Sequence, residues 1–410
     1  MIEKKPIIQD LEALSPIGAL PGGGVTRLAF SSVEAELHRL VARWLAQLGG
    51  KIRKDALGNL IARWPGQDDS LPAVATGSHL DSVPQGGKFD GVVGVVAALA
   101  AMRAIRKMGS LTRHPLEVIV FVGEESSRFG VATLGSKVMS GSANIEQYLQ
   151  LRDAAGITLR DAAKESGANL AEIESAIRQP GELKAFLEVH IEQGRVLEEE
   201  AAKIGVVTAI AAPTRRQITI EGRADHSGAT PMALRRDALT AAAELILAVE
   251  EYGRREAVHK SVATVGMLSL KPGAMNVIPG QVSLGVDVRG IDFASIQRVV
   301  AGIDDKLQKI CQQRHVSAKT QQLSADKPVQ LDSTVIASIE AACQKLSLPY
   351  RLMPSGAGHD AMNMAKITPT GLIFIPCKDG ISHNPREEAT VEDIVLGAEV
   401  LLHTILDLAK

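Results

Sequence analysis

The sequence predicts an α/β protein in which a mostly parallel sheet, with helices on both faces, is interrupted by a small α+β domain. Two observations lead there. Apolar runs that read as strands alternate with helix-like segments through the first half of the chain and again near its end, the pattern of a parallel sheet. Between about residues 213 and 328 the order becomes β-α-β-β-α-β, which is ferredoxin-like. The larger domain is therefore expected to be discontinuous, 1–212 with 329–410, and the smaller one to span 213–328.

Each element has a local reason. "FSSVEAELHRLVARWLAQLG" has helical periodicity and a glycine stop. "LPAVATGSH" reads as a short buried strand entering a loop, and "GVVGVVAALAAMRAIRKMG" as a helix packed on the sheet. "HPLEVIVFVGEESSRFG" is β-branched up to Val122 and then polar; "ELKAFLEVHIEQG" and "GLIFIPCKDGISHNP" repeat that strand-then-loop pattern. In the insert, "TRRQITIEG", "SVATVGMLSL", "GQVSLGVDVRG" and "HVSAKTQQL" read as strands. "MALRRDALTAAAELILAVEEYGRR" and "IQRVVAGIDDKLQKICQQR" read as the two helices.

Bulk properties narrow the function classes. The 410 residues are 45% hydrophobic and 22% charged, with a formal net charge of −2. No Lys/Arg run suggests a nucleic-acid or anionic-membrane partner. No segment reaches the ~18 consecutive apolar residues of a membrane-spanning helix, and the N-terminus lacks the apolar core of a signal peptide. Cys311, Cys343 and Cys377 are widely spaced and odd in number, which fits reduced thiols and a cytoplasmic protein.

The chemistry-bearing residues fall at strand ends. His79 follows "AVATGS", Glu124 and Glu125 follow "LEVIVFVG", His190 closes "AFLEV", and His383 lies a short loop beyond "GLIFIP". Asp90 stands just before a helix. Open α/β sheets bind ligands at the carboxyl ends of their strands, so four strands deliver metal-ligand residue types to one expected edge. Zn²⁺ and similar ions take imidazole and carboxylate. A carboxylate can bridge two ions, and a second one can shuttle protons. Taken singly, each residue also has a plain structural reading: a lone histidine is more often structural, and a Glu doublet is usually solvated surface.

Six segments, "GSHLDSVPQGGKFDG", "GEESSRFG", "EVHIEQG", "ADHSGATPM", "SGAGHDA" and "ISHNP", together resemble the amidase/hydantoinase/carbamoylase family of dinuclear-metal, zinc-aminopeptidase-like hydrolases. The resemblance implies two divalent ions per subunit (Zn²⁺, or Mn²⁺ or Co²⁺): His79 and His190 on one, Glu125 and His383 on the other, and Asp90 bridging. It implies Glu124 as general acid/base and Asp81 as the carboxylate that orients His79. Gln193, His226, Asn276, Arg289 and Gly358 would meet the substrate, Arg289 by gripping its carboxylate. His359 would stand behind the ligands. Ser126 departs from the glycine the family often carries there. Arg215 and Arg216 precede His226 and could favour a more polar substrate.

The implied reaction is hydrolysis of a ureido C–N bond in an N-carbamoyl-L-amino acid, giving amino acid, CO₂ and ammonia. Allantoate or β-ureidopropionate is the alternative substrate, and a dipeptidase or aminopeptidase is less favoured because His190 stands where related peptidases usually have a carboxylate. The insert is expected to be a lid and a homodimer contact, with His226 acting across the dimer.

Overall fold

The computed structural model describes residues 1–410. The chain divides into two compact units, Met1–Thr208 with Leu331–Lys410, and Ala209–Gln330. In the first, the strands are β1 (Lys51–Lys54), β2 (Leu60–Trp64), β3 (Ala73–His79), β4 (Leu116–Phe121), β5 (Leu183–Ile191) and β6 (Ile204–Ile210). In the second they are β7 (Ala212–Glu221), β8 (Asp225–His226), β9 (Val262–Lys271), β10 (Val277–Ile278), β11 (Gln281–Gly290) and β12 (Ser317–Ala325). Then follow β13 (Val329–Gln330), β14 (Tyr350–Ser355) and β15 (Thr370–Ile375).

The large sheet runs β1-β2-β4-β3-β5-β15-β6-β13, with β14 also on β6. Its four central strands, β4, β3, β5 and β15, are mutually parallel. β1, β2 and β6 run antiparallel to their neighbours. The parallel strands are apolar almost throughout: every residue of β3, β4 and β15 is buried. That is what a sheet covered on both faces demands. One shared core holds alternate residues of β2, β4, β5 and β15 together with the helices Lys4–Leu14, Ser32–Gln47, Val92–Met108, Ser333–Lys345 and Val391–Leu408. Gly77 in β3 has a packing reason: a Cβ there would lie 1.7 Å from the Ile119 carbonyl oxygen of β4. No helix is long and apolar enough to cross a membrane.

The second unit is a four-stranded antiparallel sheet in the order β12-β7-β11-β9. Helices Ala238–Glu256 and Phe293–Arg314 pack on it through Ile218, Ile220, Leu284 and Val288. The first helix starts later than its sequence suggests. Asp237 caps it, accepting from Leu239 and Thr240 amides, and Met232–Leu234 form a separate short turn. Burial alternates along β11, so Ser283, Asp287 and Arg289 lie on the face away from the helices. β8 and β10 form a separate two-stranded ribbon.

His38 lies in the first unit's core at 2% exposure, and neither ring nitrogen has a hydrogen-bond partner. Burial, with a smaller push from the Lys54 charge, holds its imidazole down at about 3. The folded value lies below the ordinary ~6.5. The neutral ring's contribution is therefore whole above that pH and is lost as pH falls toward about 3, at up to about 1.4 kcal/mol per pH unit. Melting curves of the metal-free protein should show His38→Leu declining less steeply than wild type on acidification below pH ~6.5. Identical slopes would mean that His38 is not a source of acid lability.

Candidate metal centre

The parallel order β4-β3-β5-β15 brings four carboxyl ends to one edge, and the candidate residues come with them. His79 ends β3, His190 is the penultimate residue of β5, Glu124 and Glu125 follow β4, and His383 lies in the loop after β15. Asp90 precedes the helix Val92–Met108. Gly91 must be glycine: its φ is +68°, and a Cβ would lie 2.5 Å from the His79 ring.

Asp90 divides the site. Its Oδ1 is 3.0 Å from His190 Nε2 and 3.8 Å from His79 Nε2. Its Oδ2 is 3.2 Å from His383 Nε2, which is itself 3.3 Å from Glu125 Oε1. The donor atoms fall into two groups that could each hold an ion, His79–Asp90–His190 and Asp90–Glu125–His383. His190 Nδ1 donates to the Ile191 carbonyl at 2.9 Å, and His79 Nδ1 to the Asp81 carbonyl at 3.1 Å. A carbonyl can only accept, so both rings keep Nε2 turned toward Asp90. All of these residues are buried except His383.

The electrostatics are those of a crowded anionic pocket. Burial opposes ionisation of Asp90, yet His190, His383 and His79 hold its carboxyl well below the usual range. Burial alone would lower His79, but Asp81, Glu124 and Asp90 raise it well above an ordinary imidazole. Hydrogen bonds to Asp90 and Glu125 lift His383 to about 11. Burial raises Glu124 well above a normal carboxyl; His79 opposes this, while Glu125 and Asp360 add to it. Imidazoles and carboxylates packed this closely fit a divalent ion: its charge answers the carboxylates, and its ligand preferences match both donor types.

A third donor group, Glu188–His190–His359, is already satisfied by the protein. Glu188 accepts from the Ser78 hydroxyl at 2.8 Å and the Ala361 amide at 2.9 Å. His359 Nε2 bonds Ser355 Oγ at 2.9 Å, and its ring packs edge-on against His190 at 4.4 Å. Burial and the nearby His190 keep it neutral. Gly358 sits in this loop, where a Cβ would meet only the Met362 sulfur at 3.6 Å.

Asp81 and Gln193 both make contacts inside the site. The ring of His79 is nearer the Asp81 carbonyl than its carboxylate, which is 3.4 Å away. The Asp81 carboxylate also accepts from the amides of Glu124 (3.1 Å) and Glu125 (2.9 Å). It therefore shapes the loop that carries those two residues. Gln193, in a left-handed conformation (φ +57°), donates its amide nitrogen to Asp90 Oδ2 at 2.8 Å, and its buried carbonyl oxygen has no partner.

His226, Asn276 and Arg289 lie in the second unit. The β8–β10 ribbon joins the first two, pairing His226 with Val277, and the Ser227 amide donates to the Asn276 carbonyl at 3.1 Å. His226 Nδ1 accepts from the amides of Gly228 (3.0 Å) and Ala229 (3.2 Å). That fixes the tautomer and leaves an exposed Nε2–H. Arg289 is on the four-stranded sheet instead. Its Nε and Nη2 bond Asp287 at 2.9–3.1 Å, and Arg215 Nε joins the same carboxylate at 3.3 Å. Arg216 pairs with Asp304. Sequence reasoning missed three groups that hold the ligand loops: buried Glu34, which accepts from the Gly123 amide, and, beside Asp90, half-buried Ser382 and buried Glu387. Glu34 had a visible signal, the capping pattern Ser31-x-x-Glu34.

The chain is similar to known proteins along nearly its whole length. Residues 75–407 match peptidase family M20/M25/M40. The chain is 42% identical to an N-carbamoyl-L-amino acid amidohydrolase of Geobacillus stearothermophilus, over 100% of both chains. It is 40% identical to a ureidoglycolate hydrolase of Oryza sativa subsp. japonica, covering 98% of this chain and 84% of that one. The crystal structure of an amidase of the hydantoinase/carbamoylase family from Burkholderia multivorans superposes with a TM-score of 0.90 at 38% identity, over 100% of this chain and 98% of that one. The chain belongs to the M20/M25/M40 family, in its hydantoinase/carbamoylase branch, and is a metal-dependent hydrolase.

Proposed function

We propose that the protein hydrolyses the ureido C–N bond of N-carbamoyl-L-amino acids, releasing amino acid, CO₂ and ammonia, with two divalent ions (Zn²⁺, Mn²⁺ or Co²⁺) per subunit. The observation that carries this reading is Asp90, whose two oxygens face two different donor groups. His79 and His190 would hold one ion, Glu125 and His383 the other, and Asp90 both. Bound there, the ions supply Lewis acidity that polarises the carbamoyl oxygen and acidifies water.

The chain's own groups do the rest. Glu124, buried and with a raised carboxyl pKa, takes a proton from the attacking water and gives it to the leaving nitrogen. His226 carries an Nε2–H, the donor a developing oxyanion needs. The unpartnered Gln193 carbonyl oxygen suits a ureido N–H. Asp287 engages only Nε and Nη2 of Arg289, so Nη1 is available to a substrate carboxylate. Asn276 sits beside His226 on the ribbon, and Gly358 would bring main chain to the substrate. A second reading, a ureido acid such as ureidoglycolate or allantoate, is supported by the identity to the rice enzyme. Such substrates offer the same carboxylate and ureido group. Ammonia release from a panel of N-carbamoyl-L-amino acids, allantoate, ureidoglycolate, β-ureidopropionate and dipeptides, with metal-reconstituted enzyme, decides between them. Turnover of dipeptides alone would refute both.

Glu124→Gln should keep its metal and lose ~10²–10⁴-fold in kcat. Near-wild-type turnover with full metal would remove Glu124 as the proton shuttle.

The same reading makes the second unit a lid and homodimer contact, with His226 serving the partner's site. Support comes from β9, an edge strand with Met267 (52%), Leu268 (48%) and Leu270 (37%) exposed; such edges are usually paired or covered. Mixing inactive His226→Ala and Glu124→Gln subunits should restore activity, because one site of each heterodimer is then wholly wild type. Demonstrated heterodimers without recovery would assign His226 to its own subunit.

A further inference from the structure

Glu387 is 4% exposed and belongs to no donor group. Its carboxylate has three hydrogen bonds, and all three lead to Asp90. Oε1 accepts the main-chain amides of Phe89 (2.9 Å) and of Asp90 itself (3.0 Å). Oε2 is 2.9 Å from the Ser382 hydroxyl, which is 3.1 Å from Asp90 Oδ2. The loop is moulded to this carboxylate, since a Cβ on Gly87 would lie 2.1 Å from it. Behind it lies Arg27, a 1% exposed guanidinium anchored on the Leu14 and Ile17 carbonyls and close enough to Glu387 for their charges to attract.

Glu387 is four residues from His383 in sequence, and its own amide closes a turn onto the Asn384 carbonyl at 3.0 Å. One side chain thus fastens the His383 loop to the Asp90 loop. The two loops leave different strands and supply opposite sides of the Asp90–Glu125–His383 group. We infer that Glu387 is a positioning residue for metal retention: it fixes the Asp90 backbone and the Ser382 hydroxyl, so that Asp90 Oδ2 and His383 stay within reach of one ion. This inference rests on the metal-centre reading above. It adds that the register between the two loops is set by backbone acceptance at Glu387, not by the ligands alone.

The geometry dictates the variants. Gln keeps a carbonyl oxygen that can accept both amides, and its NH₂ can donate to Ser382, freeing that hydroxyl's proton for Asp90. Ala removes every acceptor and leaves two buried amides unanswered. The protein is stripped with chelator and titrated with Zn²⁺. Bound metal is counted by elemental analysis, and affinity is read by competition with a chromophoric chelator. Glu387→Ala should bind its weaker Zn²⁺ equivalent ~10–100-fold less tightly, the usual cost of losing a group behind a metal ligand. Glu387→Gln should remain within a few-fold of wild type. Glu388→Ala, which alters only an exposed pair with Lys378, should match wild type.

Melting of the metal-free forms checks folding separately. If Glu387→Ala does not fold, Glu387→Met, which fills the volume without an acceptor, takes its place and should show the same weakening. Wild-type affinity in the Ala or Met variant overturns the inference, as does a Gln variant as weak as Ala. Failure of the metal-centre reading looks different, because wild type itself would then take up no Zn²⁺.

Discussion

A single buried carboxylate, that of Asp90, faces two sets of donor atoms at once, and much of the surrounding structure follows from holding it there. Three imidazoles approach it, His190 and His79 from one side and His383 from the other. A side chain in that position cannot be steered by its own rotamer preferences alone. Its backbone is fixed by Glu387, its Oδ2 by Gln193 and Ser382, and the turn after it admits no Cβ because His79 occupies the space. The price is paid in backbone strain nearby. His383 (φ +54°) and Gln193 (φ +57°) are both left-handed without being glycine, a conformation that persists only when neighbouring contacts over-determine it.

The arrangement was legible in the sequence to the extent that it depends on strand ends. β3, β4, β5 and β15 are parallel and adjacent, so residues that follow their apolar runs must reach the same edge. The residue types there announced imidazole-and-carboxylate chemistry before any distance was known. The flanking strands were not legible. β1 is Lys-Ile-Arg-Lys and largely exposed, with no apolar alternation to mark it. β6 runs antiparallel to β15, which a strand-and-helix alternation does not suggest. The sheet is therefore parallel at its centre and antiparallel at its margins.

In the second unit, the βαββαβ order could be read from spacing alone, and the structure has the matching strand order β12-β7-β11-β9. Side-chain partnerships there were harder to read. Asp287 and Arg289 are two apart on β11, hence on one face, and the guanidinium engages that carboxylate through Nε and Nη2. His226 shows the opposite case. Its tautomer is set by two amides of its own turn, a property of loop conformation that no residue spacing encodes.

The least legible distinction is between the acids themselves. Asp81, Glu34, Glu188 and Glu387 are all buried, yet each accepts at least one main-chain amide, so oriented N–H dipoles answer their oxygens. Asp90, Glu124 and Glu125 instead turn their side chains toward imidazoles. The first set is tied to loop backbone; the second faces the histidines of the site. In sequence both sets are simply Asp or Glu, and the "DS", "EE" and "REE" segments look alike. What separates them is where the local amides point, and that is decided only when the loops close. Of these seven acids, the three whose oxygens no main-chain amide answers, Asp90, Glu124 and Glu125, are the ones turned toward imidazoles.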